Sequence, residues 1–196
     1  PLRPSVFHIQ QLYGELRYRS VFLTAGLKEV GSALLNDALS SGDLTWSANA
    51  RPIPGVRIGF IDFVDIPLTN GWVQINGNFF YGKPTDNGWL KQHYNYYNAF
   101  ITTGRWANYK RCYFRTNPQM PLSVTVGMQA AAQFSGYQRY YINGNIEFEE
   151  KVPLRFKDFF DMMFPQKSDT FVSGNHLGSW DMTARYSLKS GDTIKA

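Results

Sequence analysis

Leu122-Ser123-Val124-Thr125-Val126-Gly127-Met128-Gln129-Ala130-Ala131-Ala132-Gln133 decides the fold. In an extended chain successive side chains point to opposite faces. Leu122, Val124, Val126, Met128, Ala130 and Ala132 therefore share one face, and Ser123, Thr125, Gly127, Gln129, Ala131 and Gln133 share the other. The alternation holds for twelve residues, about the length that a tilted strand needs to cross a bilayer.

Two other stretches repeat the pattern. Trp180, Met182, Ala184, Tyr186 and Leu188 oppose Ser179, Asp181, Thr183, Arg185 and Ser187. Val73, Ile75, Gly77, Phe79 and Tyr81 alternate with Gln74, Asn76, Asn78, Phe80 and Gly82. Shorter strands are expected around these, giving 6–18, 21–28, 56–63, 73–83, 109–115, 122–133, 178–188 and 193 onward. The facing of 56–63 and 109–115 is ambiguous, because both faces mix polar and apolar residues. A soluble β-sandwich would also alternate, but against a protein core.

The connections separate the two readings. Arg19-Ser20, 64–72, 116–121 and 189–192 are short, whereas 29–55, 83–108 and 134–177 each exceed twenty residues. Strict alternation of short and long links is the pattern of an outer-membrane barrel, with short periplasmic turns and long extracellular loops. Long loops without structure are unusual in a compact soluble domain. The expected fold is all-β, an antiparallel transmembrane β-barrel. About 7–8 of its strands lie in this chain, with long extracellular loops and one short helix. The chain opens almost directly into a strand and stops at Thr193-Ile194-Lys195-Ala196 while entering another. We therefore expect the middle third to half of a larger single barrel domain.

Composition narrows the function. No run of eighteen apolar residues occurs, so no membrane-spanning helix is expected. The mean hydropathy is that of a soluble protein, as it is for barrels that show lipid only every second residue. Aromatics reach 16%, which suits aromatic girdles or sugar-stacking surfaces. The net charge of +5 is spread without a basic run, so nucleic acid is not an expected partner. Cys112 is the only cysteine and His8, His93 and His176 lack ligand spacing. No metal or other cofactor is therefore expected. No Gly-x-Ser-x-Gly or phosphate-cradling glycine loop occurs, and the chain is not expected to be an enzyme.

Leu39-Ser40-Ser41-Gly42-Asp43-Leu44-Thr45-Trp46-Ser47-Ala48-Asn49-Ala50-Arg51-Pro52-Ile53-Pro54 resembles a stretch of the Wzi-like capsule assembly family of outer-membrane proteins. So do Val56-Arg57-Ile58-Gly59-Phe60, Asn70-Gly71-Trp72 and Tyr81-Gly82-Lys83. His93-Tyr94-Asn95-Tyr96-Tyr97-Asn98 and Tyr113-Phe114-Arg115-Thr116-Asn117-Pro118 look like the form found in Gram-negative anaerobes. The similarity runs from about Tyr18 to Arg185. It implies further strands before and after this chain and an outer-membrane location in a Gram-negative bacterium. It also implies a lectin-like role, binding capsular or another surface polysaccharide and holding it on the cell. The family has no assigned catalytic residues to carry over.

Candidate glycan contacts come from the residues themselves, since sugars stack on aromatic rings and exchange hydrogen bonds with polar side chains. The first long loop offers Asp43, Trp46, Asn49 and Arg51, although its prolines would equally fold it inward as a plug. The second offers Trp89, Tyr94 and Tyr97, and the third Tyr137 and Tyr140. Either group is also consistent with an aromatic belt at a membrane interface. Residues 154–164, bracketed by Pro153 and Pro165, read as a short amphipathic helix. It would cover the membrane surface or the lumen, or simply pack on the loops. A sugar-permeable porin and a barrel enzyme are the competing functions, with outer-membrane lipid a partner in all three.

Overall fold

The computed structural model describes residues 9–31, 34–35, 40–47, 50–85, 99–163, 175–188 and 192–195. Within them the chain is an all-β, antiparallel fold. The strands are β1 (Leu12–Tyr18), β2 (Val21–Leu27), β3 (Gly55–Phe60), β4 (Val64–Asp65), β5 (Val73–Gly82) and β6 (Ala99–Thr103). They continue with β7 (Trp106–Thr116), β8 (Leu122–Phe134), β9 (Gly136–Ile142) and β10 (Asn145–Val152). A single turn-and-a-half helix, α1 (Phe156–Asp161), precedes β11 (Asn175–Ser187) and β12 (Thr193–Lys195).

One large sheet runs in the order β1-β2-β3-β5-β7-β8-β11-β12, with β4 pairing β5 near one end. From β1 to β8 each strand of this main path lies beside the one before it on the path, and β11 pairs β8 across the intervening β9 and β10. All the short links, 19–20, 61–72, 117–121 and 188–192, lie at one end of the sheet, and the long segments leave from the other. Among the described residues no pairing joins β1 to β12.

The expected segments all hold strands, with shifted ends. The first begins at Leu12, since 9–11 join no strand pairing and 6–8 lie outside the described residues. The third stops at Phe60, where 61–63 bend towards β4. The larger correction concerns the long segments. Residues 99–103, 136–142 and 145–152 form a second sheet in the order β10-β9-β6. The third connection, expected as a long loop, therefore holds a hairpin as well as the helix.

The second sheet continues the first. β6 leads into β7, and β8 leads into β9, with the same antiparallel register before and after the break. The break falls at Gly104-Arg105 on one strand and Ser135-Gly136 on its partner. Gly104, Ser135 and Gly136 have φ of 67°, 58° and 100°, left-handed values that turn the chain sharply. At Gly136 a Cβ would stand 2.5 Å from the Thr103 carbonyl oxygen, so no larger residue fits without movement.

The polarity of the large sheet is inverted relative to a water-soluble one. Leu16, Leu23, Val56, Ile58, Phe114, Val126, Trp180, Met182 and Tyr186 form the exposed face. Thr24, Arg57, Asn76, Asn78, Ser123, Thr125 and Gln129 on the opposite face are buried. Glycines let the polar face pack closely: the Tyr113 ring lies where a Cβ on Gly127 would be. Small clusters complete the packing, with Ala99, Ile101 and Tyr141 in the second sheet. Ala132, Phe134 and Met162 form another beneath α1.

Candidate functional site

The segment 40–47 folds over part of the polar face, reaching Phe80, Tyr109 and Gln129. A bridge between Gly42 and Ser47 pinches the segment into a small hairpin. Asp43 shapes its tip: Oδ1 accepts from the backbone N–H groups of Thr45 (2.9 Å) and Trp46 (2.8 Å). This is the turn that an aspartate makes with the backbone two residues on. The Thr45 hydroxyl lies 2.8 Å from Gln129 Oε1 and 3.0 Å from Asp43 Oδ1. It ties the tip to β8.

Trp46 packs against the large sheet. Its ring meets Phe80 at 6.5 Å edge-on and Tyr109 at 6.0 Å, tilted. Behind them sits the buried Arg57, whose Nη1 donates to Asn78 Oδ1 at 3.1 Å. Its guanidinium lies 4.8 Å from the Phe80 centroid and 5.8 Å from that of Tyr109. Desolvated cation–ring contacts of this kind are worth about 2 kcal/mol. Register explains the grouping, because Arg57, Phe80 and Tyr109 occupy one cross-strand row and Asn78, Arg111 and Gln129 the next.

A hydrogen-bond chain extends from this cluster across β8 to β11. The Tyr109 hydroxyl donates to Gln129 Oε1 at 3.0 Å. Gln129 Nε2 in turn donates to Asp181 Oδ2 at 3.0 Å. The Tyr113 hydroxyl donates to the same oxygen at 2.7 Å, and Ser179 Oγ to Asp181 Oδ1 at 2.8 Å. Asp181 therefore accepts three bonds, one fewer than a carboxylate accommodates. A cleft of about 310 Å³ opens against this chain, lined by Asp43, Tyr113, Gln129, Ser179, Asp181 and Thr183 together with Leu34, Leu35, Leu44 and Met182. Hydroxyls, an amide and two carboxylates, beside the Tyr113 ring and apolar side chains, make a surface that can exchange hydrogen bonds with a hydroxyl-rich ligand.

A second polar cleft, about 420 Å³, lies at the end from which the long segments leave, lined by Thr102, Thr103, Arg105 and Gln133 among others. Burial pushes the Arg105 guanidinium below its usual pKa, and its buried Nε has no hydrogen-bond partner among the described residues.

The residues expected at a glycan site separate into three groups. Asp43 and Trp46 come together against the polar face, as the inward-folding alternative has it, while Arg51 is exposed at the exit of the segment. Tyr137 and Tyr140 stand on β9 in the second sheet. The Tyr137 ring already carries the Arg139 guanidinium at 5.8 Å and the Lys151 ammonium at 5.6 Å. Tyr140 is exposed and registers with the exposed Phe100 and Phe148 on either side. Asn49, Trp89, Tyr94 and Tyr97 lie outside the described residues.

Tyr109, Tyr113, Gln129 and Asp181 were not among the expected contacts. Two of them, Gln129 and Asp181, stand on the polar faces of the two cleanest strands, where alternation alone places them together. Comparison with protein-family models, curated proteins and solved structures finds no match to this chain.

Proposed function

We propose that this chain forms part of the wall of a Gram-negative outer-membrane β-barrel that binds capsular or other surface polysaccharide. In this reading it helps retain the polymer on the cell and catalyses nothing. The observation that carries the reading is the inverted sheet. A broad apolar face is exposed while a polar face is buried, an arrangement that water disfavours and a bilayer requires. The segregation of short and long links to opposite ends supports the same reading.

The step from barrel to polysaccharide rests on two further supports. One is the resemblance of the 39–54 stretch to the Wzi-like family. The other is the 310 Å³ cleft, where hydroxyl, amide and carboxylate groups converge beside the Tyr113 ring. The alternative, a sugar-permeable porin, needs an open polar conduit. Here the 40–47 segment is fastened across the polar face by Thr45 and Trp46, which favours a binding surface.

The test uses the whole protein in its own cell. Trp46→Ala removes the ring that packs on Phe80 and Tyr109 and so anchors the segment whose Asp43 and Leu44 line the cleft. One ring contact is worth on the order of 1 kcal/mol, and the resulting loss of sugar binding is amplified along a polymer by avidity. Weaker binding of the producer's polysaccharide by the purified protein, with more capsule shed into the medium, is the expected result. Unchanged retention with altered sugar uptake in liposome swelling would favour the porin instead.

A further inference from the structure

We infer that α1 is an interfacial collar, seated on the apolar face of the large sheet and holding Phe156 and Phe160 among the acyl chains of outer-membrane lipid. The inference rests on the barrel reading. It concerns the outer side of the wall, which the polysaccharide site does not use.

The seat is specific. The Phe159 ring meets Tyr81 at 5.0 Å, Trp106 at 5.4 Å and Phe134 at 5.5 Å, all edge-on. Met162 is buried with Ala132 and Phe134. Register places Tyr81, Trp106, Ala132 and Phe134 on the apolar face, at the end from which the long segments leave. The helix therefore lies outside the wall, and the lumen-covering alternative does not describe it.

The seat also covers a flaw in that face. Asn108 and Lys110 fall on the same apolar side of β7, where an amide and an ammonium facing hydrocarbon would be costly. Under α1 both are satisfied. The Lys110 ammonium donates to the Met162 carbonyl and, at 3.3 Å, to Asn108 Oδ1. Asn108 Nδ2 donates to the Phe80 carbonyl at 3.1 Å. The Tyr81 hydroxyl donates to the Phe159 carbonyl. A cation at a helix C-terminus is favoured by the helix dipole.

What the helix turns outward identifies its partner. Phe156 is 80% and Phe160 57% exposed, and their rings pair at 5.4 Å. Lys157, Asp158 and Asp161 occupy the flank, with Lys157 Nζ 3.9 Å from Asp161 Oδ2. An apolar edge beside a charged one is the form of a helix lying at a membrane surface. Just past the C-terminal end of the helix, Met163 lines a groove of about 570 Å³ on the wall together with Ile58, Phe60, Ile75, Phe79, Lys110 and Cys112 among others. An acyl chain running down the wall from the headgroups would fill that groove.

The test places an environment-sensitive fluorophore on Phe156→Cys or Phe160→Cys of the full-length protein, in a Cys112→Ala background. Vesicles of phosphatidylethanolamine and phosphatidylglycerol carry nitroxide lipids labelled either near the headgroup or deep in the chain. Val126→Cys reports the wall, and Leu68→Cys, fully exposed in a short link, reports water. The expected result is a blue shift at 156 and 160, with the shallow nitroxide quenching more than the deep one. Val126 should show the opposite order and Leu68 neither. Quenching at Val126 with none at 156 or 160 overturns the collar and leaves the barrel standing. Absence of quenching at Val126 overturns the barrel and the collar together. A blue shift at 160 that grows with protein concentration makes the face a contact between copies and also overturns the collar.

Discussion

Val126→Arg distinguishes a wall that faces lipid from a sheet that faces water. Val126 is 43% exposed on the apolar face of β8. Its cross-strand neighbours are Phe114 on β7 and Met182, itself 70% exposed, on β11. Ile75 continues the row on β5. No side-chain oxygen stands in that row to accept from a guanidinium. In a bilayer an arginine there should cost about 2–4 kcal/mol if the row lies near the midplane. That corresponds to a roughly 30- to 700-fold fall in the folded-to-unfolded ratio. In water the same replacement, at a surface position without a special role, should stay within about 0.5 kcal/mol. Equilibrium urea unfolding of the full-length protein in phospholipid vesicles reads the difference, with Leu68→Arg as the exposed control. A Val126→Arg protein as stable as the control would refute the lipid-facing assignment of this face.

Gln129→Leu removes the group that joins Thr45 and Tyr109 to Asp181. It should cost about 1–3 kcal/mol for each polar partner left unsatisfied, and limited proteolysis should then cut near Leu44, which the parent resists. Gly136→Val forces a side chain into φ of 100° and against the Thr103 carbonyl. It should cost on the order of 1–3 kcal/mol or more, with hydrogen exchange rising in β9 and unchanged in β2 and β3. On the proposed outer-membrane reading, cysteines at Asn145 should react on intact cells with an impermeant reagent, while cysteines at Ser20 and Gln119 should not. The reverse pattern would invert the topology.

Alternation was the most informative signal in the sequence, and it is strongest where a strand has one uniform environment on each side. Leu122–Phe134 and residues 178–187 meet that condition, so their faces are legible residue by residue. β7 does not. Asn108 and Lys110 interrupt its apolar side because they bond each other and the end of α1, and Tyr109 and Tyr113 interrupt its polar side because they bond Gln129 and Asp181. The very contacts that make β7 central to the site blur its pattern. The hairpin β9–β10 was hidden for another reason. Gly136-Tyr137-Gln138-Arg139-Tyr140-Tyr141 has the composition of a binding loop, and the break at Ser135-Gly136 looks like a strand's end. Only pairing with β6 shows that the ladder goes on. The wall contacts of Thr45 and Trp46 depend on a hairpin that brings Asp43 back onto strands more than thirty residues away in the chain, which spacing alone does not encode.

The order of strands in the large sheet carries a consequence for how the chain reaches its fold. From β1 to β8 each long strand finds its partner in the long strand just before it, so the sheet can lengthen at one advancing edge, a strand at a time. Closing a loop costs entropy that grows only slowly with its length, and the first closures are between near neighbours. The exception is β11, which must find β8 across the whole of β9, β10 and α1. Because β9 and β10 pair with each other through a two-residue turn at Asn143-Gly144, they can form locally and shorten the effective span before β11 docks. Local contacts of this kind are the ones that speed folding. The interposed hairpin is thus a kinetic aid to the last long pairing. Weakening its turn should slow assembly more than it lowers final stability.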